Sequence, residues 1–121
     1  MKMFRVLAVV VVLATVSVFA GCKKETPTTY DCSGYTPTYT ADVKPLMDTY
    51  CSRSGCHNST SKEAGKDLSS YAGTKSAAGS SSFLGSMQHL SGYEAMPQGG
   101  SKLTDAQLRT IGCWVQNGMP N

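Results

Sequence analysis

The chain has 121 residues and a formal net charge of +3, from 11 Lys and Arg against 8 Asp and Glu. Two of the basic residues, Lys2 and Arg5, precede a long apolar run; without them nine basic residues face eight acidic ones, so no basic face is offered to nucleic acid. No Ser-His-Asp set, paired carboxylates or phosphate loop is evident, which leaves hydrolase and kinase chemistry without support.

Residues 6–20 form an apolar run of 15 residues in which Thr15 and Ser17 are the polar members. That is the core of a signal peptide and is shorter than the ~20 residues of a membrane span. The run leads into Phe19-Ala20-Gly21-Cys22, which resembles a bacterial lipoprotein signal. A signal peptide over 1–21 and lipidation of Cys22 are therefore expected. The protein should be exported and held in the cell envelope, on the periplasmic side or at the outer membrane of a Gram-negative bacterium. The remaining 100 residues suffice for one small domain with a limited core.

Residues 22–38 are rich in Thr, Pro and Tyr and lack periodicity. They read as a lipid-proximal tether whose second half is pinned by Cys32 onto a domain spanning 39–121. In the stretch 40–50, Val43, Leu46, Met47 and Tyr50 fall at helical spacing. Thr40 can cap this helix, and Pro45 is tolerated only in its first turn, so a start near Ala41 or later is expected. The helix runs directly into YCSRSGCHNST, where Cys51 and Cys56 are followed at once by His57.

The middle is dominated by Ser, Gly, Ala and Lys. Two short helices are expected there. One is capped by Ser69 or Ser70; the other carries Phe83, Met87 and Leu90 on one side. Residues 91–102 form a loop by their Gly and Pro content. The last helix is the best marked: Thr104 and Gln107 form a capping box, Leu108, Ile111 and Val115 share a face, and Gly118 and Pro120 end it. The pattern is all-α, with no segment alternating as a strand does.

Lipidation of Cys22 would leave Cys32, Cys51, Cys56 and Cys113, which permit three disulfide pairings. Alternatively Cys51 and Cys56 are consumed by other chemistry and Cys32 pairs with Cys113; parity does not choose. A zinc site at Cys51, Cys56 and His57 would need a fourth ligand, for which His89 is available.

The order of these pieces resembles a class I cytochrome c, and in particular the small monohaem domains of exported bacterial lipoproteins. The residues that carry the resemblance are Val43-Lys44-Pro45, Cys51 and Cys56 with His57, Met96-Pro97, Leu103-Thr104, and Trp114 with Asn117-Gly118. The spacer between the cysteines holds four residues where the usual C-x-x-C-H motif has two. Gly55 and its small neighbours Ser52 and Ser54 would let the longer loop bulge.

The resemblance implies an all-α domain whose terminal helices pack across one covalently bound haem c. Cys51 and Cys56 would form its thioethers, and His57 and Met96 would be the axial ligands. Met87 and His89 are rival candidates for the sixth position. Cys32 and Cys113, the pair left over, would form a disulfide. The implied function is single-electron transfer by a carrier, not an enzyme. Its partners would be redox proteins and, through the lipid, a membrane, with no nucleic acid and no small-molecule substrate. Two other readings stand beside it: a haem-free, disulfide-stapled surface lipoprotein, and a haem enzyme or sensor with an open iron position.

Overall fold

The computed structural model describes residue 21 and residues 23–121; the signal segment and Cys22 lie outside the described residues. Four α-helices carry the fold: α1 (Lys44–Tyr50), α2 (Tyr71–Ala78), α3 (Ser81–Met87) and α4 (Asp105–Gln116), with no strand among the described residues. None of these helices is long and apolar enough to cross a membrane.

The first α-helix starts at Lys44, within the expected range, but a turn not expected precedes it. A π-helical turn, Tyr39–Val43, precedes α1, and its cap is Thr38 rather than Thr40. The Thr38 side chain accepts from the Ala41 amide, while the Thr38 amide donates to the Asp42 carboxylate at 2.8 Å. Pro45 then sits in the first turn of α1. It has no N–H to give, and its ring would crowd a carbonyl one α-turn back. The wider turn before it accommodates both defects. The short helices α2 and α3 start where serine side chains accept from backbone amides, Ser70 from Gly73 and Ser80 from Ser82. For α4 the full capping box forms between Thr104 and Gln107.

The core lies where the π turn and α1 meet α4. Trp114, Ile111, Val43 and Met47 are all fully buried. The Tyr39 ring stands 6.0 Å from Trp114 and 5.3 Å from Tyr71, tilted against both. The C-terminal tail closes this cluster. The Pro120 carbonyl accepts from the Trp114 indole at 2.7 Å and from the Tyr39 amide at 2.9 Å, and the Met119 carbonyl accepts from the Tyr71 hydroxyl at 2.8 Å.

Cys32 and Cys113 form a disulfide, with their Cα atoms 5.5 Å apart. Upstream of it, the segment read as a tether lies along the domain as a strap. Thr28 and Gln88 exchange two hydrogen bonds, as do Tyr30 and Gln116. Gly112 in α4 makes room for this: a Cβ there would run into the Tyr30 ring.

Candidate functional site

At the end of α1 the Cys51 amide still donates to Met47, so Cys51 stands on the last turn of a packed helix. The chain then loops out and returns. Gly55 takes φ +77, a left-handed conformation that only glycine adopts without cost. The Cys56 amide donates to Arg53 and the His57 amide comes back to the Cys51 carbonyl at 3.1 Å. The four-residue spacer is thus folded as a bulge that leaves both cysteines beside His57. Neither of the two is in a disulfide; Cys51 is buried and Cys56 exposed. Burial pushes the Cys51 thiol up to about 11, with the neighbouring Cys56 adding to the effect.

The following loop folds back onto the histidine. The Glu63 amide donates to the Cys56 carbonyl at 3.0 Å, and the Leu68 amide to the His57 carbonyl at 2.7 Å. Lys62 and Ala64 take left-handed backbone angles, φ 44 and 53, which cost energy for residues with a Cβ. That contortion brings the Glu63 carbonyl to 2.9 Å from His57 Nδ1. A carbonyl can only accept, so Nδ1 carries a proton, and in the neutral ring the lone pair then sits on Nε2. A ligating histidine is held in this way, its second nitrogen tied to a backbone oxygen.

His57 lines a cavity of about 580 Å³, and Cys51 and Cys56 line it too. Leu68, Phe83, Met87 and Met96 supply apolar surface to the same cavity. Its volume falls in the range of roughly 300–1,000 Å³ usual for cofactor pockets. Among the charged groups, Lys24, Arg53 and Lys66 line it alongside Glu63 and Glu94.

Met96 is held by both of its backbone polar groups. Its amide donates to the Ser86 carbonyl at 3.0 Å, and its carbonyl accepts from His89 Nε2 at 2.9 Å. The Met96–Pro97 peptide is cis. Met87 lines the cavity as well, from the end of α3, but is almost wholly buried in the core, whereas Met96 is half-buried. His89 does not line the cavity; it is exposed, and its Nε2 is engaged by the loop. Of the candidate sixth ligands, then, the two methionines stand on the cavity wall and the histidine braces one of them. Nor do three of His, Cys, Asp or Glu converge to chelate a bare ion among the described residues.

The sequence points to Cys51, Cys56, His57 and Met96, and the fold gathers all four around one cavity. It gives no sign of the Glu63 carbonyl, because a backbone acceptor has no residue-type signature. Lys24 and Tyr93 on the cavity rim were equally invisible, since the strap that carries Lys24 reads as a linker. No family model, characterised relative or solved structure matches the chain.

The donor set has a definite chemistry. Two uncommitted thiols can add across carbon–carbon double bonds, a fixed imidazole can bind a transition metal through Nε2, and a thioether on the wall can serve as a soft second ligand. These side chains would suit an apolar metal-bearing group with unsaturated substituents.

Proposed function

We propose that the chain is a monohaem c-type cytochrome that carries single electrons, anchored in the cell envelope by a lipid on Cys22. The observation that supports this most is the bond from His57 Nδ1 to the Glu63 carbonyl beside two free cysteines. That bond orients the imidazole and leaves Nε2 free of it, as a metal ligand requires.

In this reading Cys51 and Cys56 would hold the haem by thioether bonds, and His57 would bind its iron through Nε2. Met96 would supply the second protein ligand, because its backbone is fixed at both amide and carbonyl while its side chain lines the cavity. When bound, the iron would supply a one-electron ferric–ferrous couple. The chain's own contribution is to hold the ligands still between the two states. A thioether there favours the ferrous form relative to a second imidazole and so raises the potential. The apolar wall from Leu68, Phe83 and Met87 would keep water from a bound haem. Electron transfer needs no catalytic acid or base.

The test is the absorption spectrum of the exported protein from a host that matures c-type cytochromes, before and after reduction and after acid-acetone extraction. Colour that stays with the polypeptide, with a sharp reduced band, supports the reading. Cys51→Ala combined with Cys56→Ala should make the colour extractable. A colourless wild-type protein from a competent host would overturn the proposal.

A further inference from the structure

The strap ends at the mouth of the cavity. Lys24 is among the residues that line it, and its Nζ stands 5.1 Å from the centroid of the Tyr93 ring. Gly92 leaves the space that Lys24 occupies: a Cβ there would come to 2.8 Å from Lys24 Cγ. The strap is fastened along its length. The Glu25 amide donates to the Ser91 carbonyl at 3.1 Å and the Ser91 amide returns a bond to the Glu25 carboxylate. Farther on come the paired bonds of Thr28 with Gln88 and of Tyr30 with Gln116.

Cys22 precedes Lys24 by two residues, and two residues of extended chain span at most about 7 Å. Acyl chains on Cys22 have to enter a bilayer. With so short a leash and so firmly fixed a strap, the residues next to Lys24 are carried to the bilayer surface, and these are the rim of the cavity. The rim carries three cations, Lys24, Arg53 and Lys66, against two carboxylates, Glu63 and Glu94. That balance does not repel anionic headgroups.

We propose that the mouth of the cavity faces the phospholipid surface of the membrane that holds the lipid. Electrons are then exchanged with a partner resident in that membrane, and not with one that approaches from bulk solution. The inference rests on the lipid-anchored electron-carrier reading above.

Two single substitutions in the haem-loaded, lipidated protein test it. Gln98→Cys lies on the cavity lining. Thr40→Cys lies in the π turn, eleven helical residues from Cys51, or about 16 Å along the axis. Each protein is reconstituted in vesicles of phosphatidylethanolamine and phosphatidylglycerol and treated with a bulky, water-soluble maleimide. The same substitutions in a chain exported without the lipid provide the reference rates.

The expected result is a several-fold slower reaction at Gln98→Cys on vesicles, with Thr40→Cys unchanged. Equal rates at both positions, or protection at Thr40→Cys instead, would overturn the orientation and favour a soluble partner. The absorption spectrum of the same sample separates the failures. A coloured, vesicle-bound protein without protection removes only the orientation. A colourless one removes the electron-carrier reading, and one that does not sediment with vesicles removes the anchor; either takes the proposal with it.

Discussion

His89 and Cys51 show how a residue's surroundings reassign it. By type His89 is a metal ligand in waiting, yet its Nε2 is spent on the Met96 carbonyl and its ring is exposed. Its role is to position. In the proposed cytochrome, His89→Ala should leave the haem attached while removing one net hydrogen bond from the Met96 loop, worth about 1 kcal/mol, or about fivefold in the fraction of molecules with Met96 off the iron. The weakened Met-to-iron charge-transfer band would register it, and His89→Gln should restore part of the loss. Cys51 is buried, and in the haem-free chain its thiol is pushed up to about 11. A raised value favours the protonated, folded form below the ordinary thiol range. That contribution is lost as pH rises through 11. The haem-free protein should therefore lose about 2 kcal/mol between pH 8.5 and 11 relative to Cys51→Ala, in denaturant titrations. A thioether cannot titrate, so the proposed haem attachment at Cys51 would remove this pH dependence.

Among the elements, α4 was the most legible, because its signals are local. Thr104, Gln107, Gly118 and Pro120 act within a few residues of themselves, and the capping box forms as expected. Thr104→Ala should cost about 1 kcal/mol in thermal or denaturant unfolding. The cap of α2 was readable for the same reason, with Ser70 in place; for α3 the buried side, Phe83 and Met87, was readable and its cap, Ser80, was not. Nor was the turn before the first helix. Thr40 looks like a cap in isolation, but Thr38 and Asp42 exchange bonds across the turn, and Pro45 favours a wider turn before it. The strap was the largest element missed. It has no periodicity because its contacts are made by partners 58 to 86 positions away, the amides of Gln88 and Gln116. The site stood between these extremes. Its ligand types were in the sequence, whereas the carbonyl that sets the His57 tautomer and the brace on Met96 exist only once the chain has folded.

For the molecule as a whole, the disulfide and the buried aromatic cluster do the work that a larger core does elsewhere. Cys32 and Cys113 are 81 positions apart. Closing a loop of that length restricts the unfolded chain by about 4 kcal/mol. Cys113→Ser paired with Cys32→Ser should lower stability by that order in denaturant titrations. The proposed colour should persist at low temperature, since neither residue lines the cavity.

The same bond has a topological consequence. Everything from residue 33 to residue 112 lies inside the ring that it closes, including both free cysteines, His57, the Ser- and Gly-rich middle and the Met96 loop. A protease that cuts once anywhere in that interval opens the ring without separating its pieces. The nicked protein would run at full mass until reduced, and the fragment with Cys51, Cys56 and His57 would stay tied to the N-terminal strap. A single scission would leave the protein whole in composition.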